Sequence, residues 1–244
     1  MMGGVKRKIR CGGRPMTAVV LAGGCSRRMK ADKAGLLIGE RTLLEHVVAQ
    51  IVPNVDEVMI STSPGQKLGP EITSQKPGGG VRASGAAAVA ARIRFVEDDT
   101  PGLGPLGGIL SGLKAAANEA CAVIACDIPD IDIPLLRSLS RAAGDAEIAV
   151  PIGPSGLYEP LFAVYRKSVV PKIEGLLGGG ERSILPLFDL CRTASVPLAD
   201  PGRIRNLNTR ADYEAYLSSV PGRTAGGSRG RSGLRGKHPS ERKI

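Results

Sequence analysis

Residues 17–33, TAVVLAGGCSRRMKADK, constrain this chain more than any other stretch. Ala18, Val19, Val20 and Leu21 form a continuous apolar run, the pattern of a strand covered on both faces. Gly23 and Gly24 follow at once. Without Cβ atoms they permit a sharp turn and let a ligand approach main-chain N–H groups. Arg27, Arg28, Lys30 and Lys33 come next. Arginine pairs with phosphate as a bidentate fork, and lysine acts as a mobile point charge. A buried strand, a glycine turn and a cationic trail together suit a nucleoside triphosphate. The plainer alternative is a strand-to-helix turn with solvated charges, and these residues alone leave both open.

A length of 244 residues is enough for one α/β domain with a sizeable core. Aromatic residues make up 3% and Trp is absent, so that core must be aliphatic. The net charge of +10 invites a nucleic-acid reading, but its placement argues otherwise. Residues 1–16 carry +5 and residues 221–244 carry +6, which leaves −1 for residues 17–220. The basicity therefore belongs to two Gly-rich tails, expected to be disordered and solvated around a domain at 17–220. Such tails touch RNA only through non-specific electrostatics, so specific nucleic-acid binding is not expected. The five cysteines form no CxxC pair, which speaks against zinc and for a reducing compartment. No apolar run approaches the ~18 residues of a membrane span. The N-terminus lacks the apolar core of a signal peptide, so a cytoplasmic protein is expected.

Beyond the glycine turn, residues 36–38 are a short apolar segment ending at Gly39. Residues 42–52 place Leu43, Leu44, Val47, Val48 and Ile51 on one helical face, with Thr42 and Glu45 matching a capping box. His46 on that helix reads as a satisfied histidine rather than a catalytic one. Strands are expected at 55–62 and 92–96, separated by a Gly-, Pro- and Ala-rich loop with some helix at 63–90. Further strands are expected at 121–126, 147–152 and 161–165, and helices at 133–143, 168–177 and 183–190. Thr209 reads as the N-cap of a final helix, with Asp212 three residues on. Alternating strands and helices imply an α/β fold of three layers, a mostly parallel sheet with helices on both faces.

Two segments bear on chemistry. Gly102-x-Gly104-x-x-Gly107 matches the dinucleotide fingerprint, with Asp127 twenty residues further on. That fingerprint begins directly at a strand end, whereas here five residues intervene after Val96. Pro105 fits better as the first residue of a helix, where its missing N–H is harmless. Asp127, in Asp127-Ile128-Pro129, closes an apolar strand at the end where α/β sheets gather ligands. A carboxylate there can hold Mg²⁺, which takes its other ligands from phosphate and water; it can equally cap the next helix. Asn206 and Asn208 are open between turn-making and ligand contact.

The run Leu21-Ala22-Gly23-Gly24-x-Ser26-x-Arg28-Met29-x-x-Asp32-Lys33 resembles the opening motif of the molybdenum cofactor guanylyltransferase (MobA) family. The Asp32-Lys33 ending separates it from sugar-nucleotide pyrophosphorylases, which usually carry Pro at the place of Asp32. Gly104-Pro105-Leu106-x-Gly108 is similar to the family's GPLAG-type segment, CDIP at Cys126–Pro129 to its CDxP segment, and Asn206-x-Asn208-Thr209 to its terminal NxNT segment. Residues 160–165 resemble the strand lining its acceptor pocket. The chain departs from the family at Lys30, where many members carry Gly, and at Ser61, where several carry Asn. The resemblance spans residues 17–217.

The resemblance implies a Rossmann-like fold of the nucleotide-diphospho-sugar transferase type. It implies transfer of GMP from GTP to the terminal phosphate of a molybdopterin-type acceptor, with Mg²⁺ and release of pyrophosphate. Leu21, Ala22, Gly23 and Gly24 would meet base and ribose through the backbone, and Asp98 would contact the nucleotide. Arg28 and Lys33 would neutralise the triphosphate, Asp127 would hold Mg²⁺, and Asn206 and Asn208 would lie near the acceptor. Molybdoenzyme maturation proteins are possible partners. Related readings are a transferase using CTP or another phosphorylated cofactor precursor. A non-catalytic nucleotide-binding protein and an RNA-binding protein acting through its tails are the readings from other classes.

Overall fold

A computed structural model describes residues 8–23, 33–66, 92–98 and 102–219. The apolar run predicted first is strand β1 (Met16–Leu21), with every residue buried. It is central in a seven-stranded sheet of order β5-β4-β1-β6-β8-β7-β9. The other members are β4 (Glu57–Thr62), β5 (Arg92–Glu97), β6 (Ala120–Ala125), β7 (Ile148–Ile152), β8 (Phe162–Arg166) and β9 (Thr193–Pro197). Strands β5, β4, β1 and β6 are parallel neighbours. Strand β8 runs antiparallel to both β6 and β7, and β9 is parallel to β7. The reversal at β8 follows from its short link to β7, which folds back through the bridge Ile152–Tyr158 and leaves no room for a crossover helix. A separate two-stranded ladder, β2 (Leu37–Ile38) with β3 (Arg41–Thr42), turns at Gly39, whose φ of 64° suits a residue without Cβ.

Helices cover both faces, giving the expected three layers. Helices α1 (Leu43–Ile51), α3 (Ile133–Ala142) and α6 (Arg210–Ser219) lie on the face of Ala18 and Val20. Helices α2 (Pro105–Ala115), α4 (Val170–Gly178) and α5 (Leu185–Leu190) lie on that of Val19 and Leu21. The core is aliphatic, with Phe162, Tyr165 and Tyr216 its largest buried rings. Helix α1 carries the predicted capping box: the Glu45 amide donates to Thr42 Oγ1 at 3.2 Å, and the Thr42 amide donates to Glu45 Oε2 at 2.6 Å. Helix α2 starts at Pro105 after Gly104, so Gly107 lies inside the helix. The dinucleotide fingerprint is therefore a coincidence of spacing. Helix α2 also lies very close to the sheet: a Cβ on Gly112 would come within 2.3 Å of Val19 Cγ1.

Three elements differ from the sequence expectations. Strand β9 was not expected, because TASVP has no buried face pattern and is selected by pairing at the sheet edge. Strand β8 is reversed. The N-terminal boundary expected at residue 17 falls too late, since residues 8–16 pack on the domain. Ile9 is 1% exposed, and its amide donates to the Asn54 carbonyl at 2.6 Å. Lys8 and Arg10 reach Asp56 at 3.3 and 3.2 Å. One apolar residue among cations looks solvated in sequence, but here it joins the core beside the turn at Asn54. The remaining tail residues, 1–7 and 221–244, lie outside the described residues, as do residue 220 and residues 67–90 of the predicted loop.

A chain starting at residue 17 loses Ile9 and Met16 from the core, roughly 1.5–3 kcal/mol each. A chain starting at residue 8 keeps both and should match the full chain in thermal unfolding. Equal midpoints for the two truncations would show residues 8–16 to be dispensable.

Candidate active site

The carboxyl ends of β1, β4, β5 and β6 share one edge of the sheet. The pairing Leu21–Ala125 sets β1 and β6 level, and the Cys126 amide donates to the Leu21 carbonyl at 3.1 Å. Asp127 follows, 19% exposed at its side chain. Gln50 of α1 braces its loop by donating to the Pro129 carbonyl at 2.7 Å and accepting from the Ile131 amide at 3.1 Å. Lys33 enters from the 3-10 turn Lys33–Gly35, and its Nζ lies 2.7 Å from Asp127 Oδ2. The same ammonium donates to Asn208 Oδ1 at 3.1 Å. Asn208 is brought there because the Leu207 amide donates to the Asp127 carbonyl at 2.9 Å. Three segments remote in sequence thus meet on one cation.

The turn ahead of α6 is made by other groups. Asp212 Oδ2 accepts from the Asn208 and Thr209 amides at 3.0 and 2.7 Å, and Thr209 Oγ1 accepts from the Asp212 amide at 3.1 Å. These bonds, the Thr209 hydroxyl first, hold the Asp212 carboxyl below the usual carboxylate range. The Asn208 side chain is therefore not needed for the turn. Asn206 is half-buried, and among the described residues its side chain makes no bond to Lys33 or Asp127.

A second group forms over β4 and β5. The Asp98 amide donates to the Thr62 carbonyl at 2.9 Å, and Ser61 Oγ donates to Asp98 Oδ1 at 2.8 Å. Asp98 lines a cavity of about 340 Å³ with Leu103, Gly107, Leu110, Ser111 and Leu177 among its walls. Between the two groups lies the glycine turn. The Ala22 and Gly23 amides both donate to the Ser61 carbonyl, at 2.8 and 3.0 Å. Gln66 Nε2 donates to the Ala22 carbonyl at 3.0 Å. The backbone of Leu21, Ala22 and Gly23, expected to meet base and ribose, is thus already bonded within the protein at the Leu21 and Ala22 carbonyls and the Ala22 and Gly23 amides. A nucleotide reaching the carbonyls must use second lone pairs or move Gln66. Gly24 and Arg28, with Cys25, Arg27 and Lys30, lie outside the described residues.

A family model described as a MobA-like NTP transferase domain matches residues 18–193. The chain belongs to that family. A protein of Mycobacterium tuberculosis named probable molybdenum cofactor guanylyltransferase is 34% identical over 216 residues, covering 86% of this chain and 96% of that protein. Its namesake in Mycobacterium marinum is 32% identical over 207 residues, covering 82% and 92%. Among solved structures, molybdopterin-guanine dinucleotide biosynthesis protein A from Archaeoglobus fulgidus superposes with a TM-score of 0.63 at 23% identity, over 82% of this chain and 96% of that one. At that identity the likeness speaks for the fold alone. The MobA-like chain is a nucleotidyltransferase, and its mostly parallel seven-stranded sheet is the family's fold.

In this MobA-like fold the donor set suits a hard divalent cation. A carboxylate oxygen and an amide oxygen already converge on the Lys33 ammonium, which stands in for a cation. Among the described residues no three His, Cys, Asp or Glu side chains cluster to hold a metal. A metal at Asp127 must then complete its shell with phosphate oxygens and water. Among the described residues no helix is long and apolar enough to cross a membrane.

Sequence reasoning named Lys33, Asp127, Asp98 and Asn208 but missed three things. It did not join Asn208 to Lys33, did not assign the Ser61 hydroxyl, and did not see Gln66. The only signal at Ser61 was its departure from the family's Asn.

Lys33→Ala should weaken binding of a nucleoside triphosphate by ~1.5–3 kcal/mol, the usual worth of a hydrogen bond to a charged group, and leave the monophosphate nearly unaffected. Calorimetric titration with GTP and GMP reads the difference. Equal losses would make Lys33 a structural partner of Asp127 only.

Proposed function

We propose that this chain transfers the GMP unit of GTP to the terminal phosphate of a molybdopterin-type acceptor. The observation that carries this reading is the convergence of Asp127, Asn208 and Lys33 at the strand ends of a MobA-like nucleotidyltransferase fold. The names of the curated relatives support the choice of guanine nucleotide and acceptor.

An oxygen of the acceptor phosphate attacks the α-phosphorus of GTP in line. A new P–O bond forms, the bond from the α-phosphorus to the bridging oxygen breaks, and pyrophosphate leaves with the electron pair. The nucleophile is already anionic, so the protein supplies no general base; its work is positioning and charge neutralisation. Lys33 turns from Asp127 toward the triphosphate and neutralises its distal charge, with Arg28 assigned the same task from the sequence. Asp127, with Asn208 beside it, would hold Mg²⁺, and the ion would supply charge neutralisation as pyrophosphate leaves. Asp98, at the end of β5, meets the nucleoside. Asn206, two residues before Asn208, is assigned to the acceptor on its likeness to the family's NxNT segment.

Asp127→Asn keeps shape and hydrogen-bonding capacity and removes only the charge. Pyrophosphate release should fall on the order of 10²–10³-fold, the cost of losing one preorganised electrostatic element. Thermal stability should change little, because the partly exposed pair of Asp127 with Lys33 adds little to the fold. Both are read over a Mg²⁺ titration. The cap of the next helix is Asp132, whose Oδ1 accepts from the Leu135 amide at 2.9 Å, so near-normal turnover at low Mg²⁺ would remove Asp127 from the metal and leave it a structural partner of Lys33.

A further inference from the structure

We infer that Gln50 is a positioning residue for the transfer reaction: its side-chain amide brackets the backbone that follows Asp127 and so sets where that carboxylate stands. The inference rests on the role proposed for Asp127.

Residues 126–132 join β6 to α3 outside any strand or helix, so no ladder spans them and their backbone groups need other partners. Upstream, the Cys126 amide is tied to the Leu21 carbonyl at 3.1 Å. Downstream, Gln50 does what a neighbouring strand would do. Its Nε2 donates to the Pro129 carbonyl at 2.7 Å, and its Oε1 accepts from the Ile131 amide at 3.1 Å. Asp127 stands between the two anchors, one residue after Cys126 and two before Pro129. Pro129 and Ile131 are both buried. Without Gln50, a carbonyl and an amide lose their partner together and reach water only if the loop moves.

The bracket is itself fixed. Gln50 lies in the last turn of α1, and its Nε2 also donates to the His46 carbonyl at 3.2 Å, one turn back. An amide that donates to two carbonyls and accepts from one N–H fits in a single orientation, since the flipped group would set its oxygen against both carbonyls. The helix end is held in turn by Asn54, whose Nδ2 donates to the Gln50 carbonyl at 2.9 Å and whose Oδ1 accepts from Arg137 of α3 at 3.3 Å. The effect of the bracket reaches past Asp127. The Leu207 amide hangs on the Asp127 carbonyl at 2.9 Å, and Asn208 follows it to Lys33. A shift of the loop therefore moves both oxygens that converge on the Lys33 ammonium. Groups that orient a metal-holding side chain typically matter on the order of 10–100-fold in metal affinity or activity.

The test uses the full chain with Gln50→Ala, and with Gln50→Met, which removes both bonds yet keeps the side-chain length and a good helix former. Pyrophosphate release from GTP with a molybdopterin acceptor is followed over a Mg²⁺ titration. In both variants the half-saturating Mg²⁺ concentration should rise on the order of 10–100-fold. Loss of folded protein would instead scale the rate at every Mg²⁺ concentration and leave the half-saturating value in place. In the Asp127→Asn background, Gln50→Met should cost little more, as expected when one residue acts through another. A second readout needs neither metal nor turnover: in the metal-free protein, hydrogen exchange at the Leu207 amide should quicken in Gln50→Met relative to the Val20 amide of β1. An unchanged half-saturating Mg²⁺ concentration in Gln50→Met, a native exchange rate at Leu207, or additive effects in the double variant would overturn the role of Gln50 while leaving that of Asp127. Near-normal turnover of Asp127→Asn itself would overturn the metal role of Asp127, and this inference with it.

Discussion

The parallel pairing of β1 with β6 is the constraint on which the site depends. Both strands are buried along their whole length, so their register is fixed by the core on two faces. A one-residue slip would turn Val19 and Leu21 to the opposite helices and carry Asp127 away from the end of β1. With the register set at Leu21–Ala125, the glycine turn and the carboxylate must emerge side by side. The other parts are then tethered to this edge. Leu207 is fully buried and bonds to the Asp127 carbonyl, which brings in Asn208. Helix α6 is held behind it by Tyr216, whose hydroxyl donates to Asp130 Oδ1 at 2.9 Å.

The Lys33–Asp127 pair sits 15–19% exposed at its side chains, between the surface and buried regimes. There the Coulomb gain and the desolvation cost nearly cancel, so the pair adds little to the stability of the fold. Its sense is electrostatic storage. Without nucleotide, the cation balances a carboxylate that a dry site would otherwise penalise. In the proposed function an anionic triphosphate would offer the same cation a better partner, and the two oxygens it left would be those a divalent ion prefers. Lysine serves this exchange better than arginine, whose planar fork favours a fixed bidentate partner.

Much of this was legible in the sequence, for physical reasons that differ by element. Strands β1 and β6 could be read because burial on both faces leaves an unbroken apolar run. Helix α1 could be read because its cap and its apolar stripe agree. The place of Asp127 at the carboxyl end of β6 could be read because it closes that apolar run, beside the glycine turn that closes β1. What was not legible depends on partners distant in sequence. Strand β9 is polar and half-exposed, and only its pairing with β7 makes it a strand. Ile9 looks like part of a basic tail until its burial in the core beside Asn54 is known. The bond from Ser61 to Asp98 joins residues 37 apart, and neither residue type predicts the other.

The site divides into two halves across the sheet order. Asp98 and Ser61 stand over β5 and β4, and Asp127 with Lys33 over β6, with β1 between them. Three strand spacings at about 4.8 Å separate β5 from β6, roughly 14 Å. A nucleotide laid with its base at Asp98 and its phosphates at Asp127 therefore has to cross the end of β1. That end is the turn at Gly23, where a Cβ would come within 2.8 Å of the Ser63 amide nitrogen. The turn is folded down onto β4 by the bonds of Ala22 and Gly23 to Ser61, and a side chain at Gly23 would lift it into the nucleotide's path. Glycine at this position thus serves the packing, and in the proposed function it would keep the passage of the ligand clear. Through its carbonyl, Ser61 holds the turn low; through its hydroxyl, it orients the carboxylate at the far end.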